Sequence, residues 1–210
     1  MKRARVRDIS MPVSARTAVW PGDRTFAIDW TLRRERGDSV NVAAVSLSTH
    51  TGTHVDGPLH VVDGGAPIGL ADLAALVGPA RVVDARGHER LDASALPPDT
   101  LRTAERLLFR TRAASRPEQF PDTFAAFTPE LARTLAAAGV RLVGTDAPSV
   151  DPFGSTTLDA HRAFIGGGIA IVENLVLDDV APGDYFLVVL PLKLLDADSS
   201  PARAVLIDGF

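Results

Sequence analysis

TPELARTLAAAGVRLVGT, running from Thr128 to Thr145, is the stretch on which the fold turns. Thr128 is a candidate helix N-cap. Pro129 stands at the first helical position, where its missing N–H costs nothing, and Gly139 follows the last turn. Leu131 and Leu135 lie four apart, on one helical face. Val140–Thr145 follows at once and reads as a buried strand. Helix, glycine and buried strand make one αβ unit.

Outward from that unit, the periodicity predicts strands over Val6–Ile9, Phe26–Leu32, Val40–Leu47, Ala80–Asp84, Arg106–Thr111, Ile169–Glu173, Tyr185–Leu192 and Ala202–Asp208. Phe26, Ile28, Trp30 and Leu32 share one parity. Short helices are expected over Leu70–Leu76 and within Leu91–Thr103. No internal repeat and no composition break divides the chain. The expectation is a single α/β domain over residues 1–210 with a mixed sheet.

The chain has 210 residues, 46% of them hydrophobic, which is enough for a substantial core. It contains no cysteine, which excludes disulfide frameworks, thiolate zinc sites, iron–sulfur clusters and a cysteine nucleophile. Any metal must be held by His, Asp, Glu or backbone oxygen. A net charge of −4 without a basic stripe argues against nucleic acid as a partner. No apolar run approaches the ~18 residues of a membrane span, and the opening residues lack the apolar core of a secretory leader. A cytoplasmic protein with no membrane partner is expected.

The dominant chemical feature is HTGTHVDGPLH, His50 to His60, which gathers three of the chain's five histidines and a carboxylate. Residues 50, 54, 56 and 60 share one parity, but an extended chain would spread His50 and Asp56 over roughly 20 Å. Metal ligands must lie ~2 Å from their ion, so the segment must curl, and Gly52 and Gly57-Pro58 are the residues that permit it. Imidazole and carboxylate suit zinc or another divalent transition metal. Four candidate ligands exceed what one catalytic metal needs: either one is an acid/base group or two metals are bound. His161 and Glu173 are the distant candidates, separated by Gly166-Gly167-Gly168, where the chain can reverse. Glu173 ends an apolar run, where a carboxylate is costly unless paired. Asp151-Pro152 reads as a turn, and His88 as a solvated turn residue.

These residues resemble a known family. HTGTHVDGPLH is similar to the HxGTHxDxPxH signature of the metal-dependent cyclase/formamidase family. Trp20-Pro21-Gly22-Asp23, the segment from Gly144 to Pro152, and His161 followed by Glu173-Asn174-Leu175 recur there in the same order. The resemblance implies a mixed, barrel-like β-sheet flanked by helices, of the swivelling β/β/α type, in a homodimer. It implies two zinc ions per chain, or Mn2+ in their place. His50, His54 and Asp56 would hold one metal, and His161 and Glu173 would complete the second, with Asp56 and Glu173 shared between them. His60 would be the general acid/base, and Trp20 would line the pocket for an aryl group. Trp20 and the length favour the formamidase branch, which implies hydrolysis of a small aromatic formamide, N-formyl-L-kynurenine, to L-kynurenine and formate. Two alternatives stand beside it: another family hydrolase of a cyclic amide, lactone or aryl amide, and a non-catalytic metal-binding protein.

Overall fold

The computed structural model describes residues 5–98 and 100–209. Its strands are β1 (Arg5–Asp8), β2 (Ala27–Leu32), β3 (Val42–Ser46), β4 (His54–Asp56), β5 (Val77–Asp84), β6 (Arg90–Leu91), β7 (Arg106–Arg110), β8 (Ala126–Phe127), β9 (Leu142–Thr145), β10 (Ala170–Glu173), β11 (Gly183–Pro191) and β12 (Ser199–Asp208). The α-helices are α1 (Leu73–Leu76), α2 (Thr100–Thr103), α3 (Pro129–Ala137) and α4 (Asp159–Gly166). The main sheet runs β1-β12-β11-β5-β7-β9-β10-β4, and β4 also pairs with β12. That second pairing closes seven strands into a mixed barrel, with β1 outside the ring.

β5, β7, β9 and β10 are parallel neighbours, while β4, β11 and β12 pair antiparallel. Successive residues of the parallel strands point to opposite cores. Leu108, Leu142 and Val172 join Val55, Leu187 and Leu206 inside the barrel. Leu107, Phe109, Val143 and Ile171 face outward, under Leu131 and Leu135 of α3 and Phe164 of α4. Burial on both faces explains why these strands read as continuous apolar runs.

α3 bears out the αβ reading. Thr128 Oγ1 accepts a hydrogen bond from the Leu131 amide at 3.1 Å, and Gly139 takes a left-handed φ of +82°. α4 carries no comparable sequence signal, and periodicity did not point to it. It buries only Ala160, His161 and Phe164, and the residue at its N-cap is Leu158, in a left-handed conformation. β2 and β3 form a separate two-stranded ribbon whose Ile28, Trp30, Leu32, Val42 and Val45 are exposed. Among the described residues, no helix is long and apolar enough to cross a membrane.

Gly144 is packed closely inside the barrel. A Cβ there would stand 2.5 Å from Leu108 Cδ2 and 2.8 Å from Leu175 Cδ1. Gly144→Ala should therefore cost about 1–3 kcal/mol through overpacking. Urea unfolding should show a lower midpoint with an unchanged slope.

Candidate active site

β4 is only three residues long, yet it bridges β10 and β12 and is buried throughout. Its register sets the site. His54 lies opposite Glu173, and Asp56 opposite Ile171. Val55 points into the barrel core, so His54 and Asp56 point outward with Glu173, on the side covered by α4. Gly52, at φ +66°, turns the chain so that His50 comes back over this pair. Gly57 is extended and serves differently from the curl expected of it: its amide donates to Asp198 O at 2.7 Å, and a Cβ would stand 2.9 Å from that oxygen. The missing side chain thus lets the segment before β12 lie against the histidine loop.

Five of the residues singled out by sequence converge. His54 Nε2 is 3.5 Å from Asp56 Oδ1 and 3.3 Å from Glu173 Oε2. His161 Nε2 is 3.5 Å from Asp56 Oδ2 and 3.2 Å from Glu173 Oε1. His50 Nδ1 is 3.3 Å from Asp56 Oδ1. The Gly166–Gly168 reversal after α4 leads directly into β10, which brings His161 and Glu173 together.

The tautomers follow from the outer partners. His54 Nδ1 is 2.8 Å from Gly52 O, an acceptor only, so Nδ1 carries the proton and Nε2 a lone pair. His161 Nδ1 faces Asp151 Oδ2 at 2.7 Å, with the same consequence when the ring is neutral. His54 Nε2, His161 Nε2 and both Asp56 oxygens are buried without any hydrogen-bond partner. Acceptors facing acceptors in a buried space repel unless a cation lies among them. Tetrahedral donors around an ion at ~2.0–2.1 Å stand about 3.3 Å apart, which matches these separations. The residues present therefore fit a metal. Two triads can hold one, His50/His54/Asp56 and Asp56/His161/Glu173.

The electrostatics agree. Burial opposes ionisation of Asp56, yet His161 and His50 hold it well below the ordinary carboxylate range. Burial opposes charge on His50, yet Asp198 and Asp56 raise it to about 10. The same contest raises His161, against burial, through Asp151, Asp56 and Glu173. The site attracts positive charge, whether proton or metal.

Two carboxylates escaped the sequence reading. Asp151 is a correction: it is a buried orienting group, not a simple turn residue. Its carboxylate accepts from the Ala160 and His161 amides, both at 2.9 Å, while also holding the His161 ring. It thus caps α4 and aims its histidine at once. The clue was present in its place after a buried strand, but Asp-Pro is so common a turn signal that the turn reading prevailed. Asp198 had no signal at all, lying far from the motif in sequence. Its Oδ2 is 2.9 Å from His50 Nε2 and 3.3 Å from His60 Nδ1. Burial pushes the His60 imidazole below its ordinary pKa, so it is neutral near pH 7.

His50, His54, His60, His161 and Glu173 line one cavity of about 310 Å³, and Trp20 stands in its wall. The Trp20 ring packs against Phe120 at 5.4 Å and Phe153 at 5.3 Å between centroids. Leu158 and Asn174 also line it, both with left-handed backbones (φ 51° and 57°), the strained conformation that clusters at functional sites. His88, as expected, does not line this cavity.

Comparison with known proteins places this geometry. The Cyclase family model, described as "Putative cyclase", matches residues 7–152. The kynurenine formamidase of Salinibacter ruber is 48% identical, covering 96% of this chain and 97% of that one. The kynurenine formamidase of Bacillus cereus (strain ATCC 14579) is 42% identical, covering 98% and 99%. A solved structure described as a potential metal-dependent hydrolase with cyclase activity superposes with a TM-score of 0.85 at 29% identity, over 99% of this chain and 100% of that one.

Because Asp151 aims His161, Asp151→Ala should weaken metal binding about 10- to 100-fold. The loss of the α4 cap should lower stability by ~1 kcal/mol. Competition against a chromogenic chelator and a thermal melt measure the two effects separately.

Proposed function

This chain belongs to the cyclase family, and we propose that it is a metal-dependent amide hydrolase converting N-formyl-L-kynurenine and water to L-kynurenine and formate. The observation that carries the reading is the meeting of unpartnered buried acceptors: His54 Nε2 and His161 Nε2, from two residues that line a cavity with an aromatic wall, and the Asp56 oxygens 3.5 Å from them. The near full-length similarity to two kynurenine formamidases supports the substrate.

In this reading His50, His54 and Asp56 would hold one divalent ion, and Asp56, His161 and Glu173 a second. Both carboxylates divide their oxygens between the two triads: Asp56 Oδ1 faces His50 and His54 while Oδ2 faces His161, and Glu173 Oε2 faces His54 while Oε1 faces His161. The all-N/O donor set suits Zn2+, with Mn2+ as the other candidate. A bound divalent ion supplies Lewis-acid polarisation of the formyl oxygen and makes water more acidic.

The chain's own residues do the rest. Trp20, backed by Phe120 and Phe153, offers an aryl ring a flat apolar face. His60 is the proton carrier. Asp198 holds its Nδ1, leaving Nε2 toward the cavity, and burial keeps the ring neutral and able to accept. It takes a proton from water as the oxygen adds to the formyl carbon. It then delivers that proton to the anilide nitrogen as the C–N bond breaks, since an anilide anion is a poor leaving group. The His50/His60/Asp198 cluster is the third group of metal-ligating type, but Asp198 already serves both imidazoles there. We read it as the support of the acid/base.

We also infer a homodimer joined through the β2–β3 ribbon. A lone two-stranded ribbon is marginal in water, and this one exposes Ile28, Trp30 and Val45.

The purified chain should hydrolyse N-formyl-L-kynurenine, lose activity to a chelator and recover it on Zn2+ or Mn2+ addition. Inactivity of the metal-loaded protein on this substrate would sink the proposal. His60→Ala should keep its metal content and lose about 10²- to 10⁴-fold in kcat. A loss of metal instead would make His60 a ligand. Light scattering should report a dimer for the native chain and a monomer for Val45→Arg. A native monomer would exclude the ribbon interface.

A further inference from the structure

Arg112 lies in the wall of the same cavity as His60, Glu173 and Trp20. Its Nε and Nη2 are buried without a hydrogen-bond partner, and among the described residues it forms no salt bridge. This is unlike several other arginines of the chain. Arg81, Arg86 and Arg203 each turn the Nε/Nη2 edge onto the two oxygens of an aspartate, Asp184, Asp84 and Asp8. Those pairs are solvent-exposed, whereas Arg112 is half-buried and unpaired.

Two carboxylates act on Arg112 electrostatically, Asp146 and Asp178, but both are committed elsewhere. Asp146 accepts from the Thr111 amide and hydroxyl and from the Arg112 amide. Asp178 accepts from the Ser115 amide and hydroxyl. They fix the loop that carries Arg112 without bonding its guanidinium. A guanidinium cannot shed its proton to escape burial, so it needs an anion. Planar and forked, it matches the two oxygens of a carboxylate.

We propose that Arg112 is the carboxylate anchor of the cavity, binding the α-carboxylate of an amino-acid tail while the aryl formamide lies between Trp20 and the histidines. The inference rests on the aryl-formamide reading for the orientation of the ligand. The need of Arg112 for an anion stands independently of it. Arg116 lines the same cavity, is exposed, and among the described residues its side chain bonds Gln119 alone, at 3.3 Å. It adds positive charge without competing for the buried position. The anchor makes the enzyme selective: a neutral aryl formamide fills the aromatic end of the cavity but leaves Arg112 unpaired.

The test compares N-formyl-L-kynurenine with 2-formamidoacetophenone, which keeps the ring, ketone and formamide but lacks the amino-acid tail. The native enzyme should favour the acid in kcat/KM. In Arg112→Met, which removes the charge at similar length, that preference should fall about 10- to 100-fold, mainly through KM. Arg112→Lys should show a smaller fall of the same sign. Calorimetric titration with 4-oxo-4-phenylbutanoate, a carboxylate with no scissile bond, should show a matching loss of affinity. An unchanged preference and unchanged affinity in both variants would overturn the anchor. If the metal-loaded native enzyme hydrolyses neither formamide, the function proposed above fails, while the titration still decides whether Arg112 binds carboxylates.

Discussion

Buried lone pairs that face one another govern this structure. Each of His54 Nε2 and His161 Nε2 lies 3.5 Å from an Asp56 oxygen, and the outer partners of the two rings, Gly52 O and Asp151, leave those nitrogens as acceptors when the rings are neutral. Such a cluster is costly unless a cation is supplied. The fold accepts that cost at a point where the backbone is firmly held. β4 is paired on both edges, and a slip of one residue would drive His54 and Asp56 into the barrel core and bring Val55 out.

The same economy appears in the orienting groups. Asp151 answers two needs with one carboxylate, capping the α4 amides and fixing the His161 ring. The helix itself is short and poorly signalled in sequence, and it is held both by this carboxylate and by Ala160 and Phe164 in the core. Asp198 spans His50 and His60, joining the outermost histidine of the cluster to the one beyond it. Barrel strands position His54, Asp56 and Glu173, while loops supply Trp20, Arg112 and Phe120 to the cavity, with Phe153 packed against Trp20. On a shared barrel, such loops are where selectivity between substrates can reside.

Much of this was legible before the fold was known. The Thr128–Gly139 helix signals and the apolar runs of β7, β9 and β10 pointed to an α/β sheet, because caps and doubly buried strands leave local marks. The cluster from His50 to His60 was legible because a metal site needs several donors within a few ångströms, and one curled segment supplies most of them. His161 and Glu173 were legible through chemistry: a carboxylate ending an apolar run demands a partner. α4, Asp198 and the role of Asp151 were not. A half-buried short helix has little periodicity, a residue more than a hundred positions away has no spacing to read, and Asp-Pro suits a turn as well as it suits a helix cap.

By itself, then, the sequence determined the kinds of atoms available: no thiolate, a handful of imidazoles, a dense donor segment, an aromatic residue near its start, and enough apolar periodicity for one mixed sheet. Tertiary structure alone decided which atoms meet. Closure of the barrel through β4 set His54 opposite Glu173, and the segment after β7 placed Arg112, its Nε and Nη2 without a hydrogen-bond partner, beside the same cavity. Donor type is a property of a residue, whereas convergence, burial and an unpaired charge are properties of contacts between segments that only the folded chain brings together.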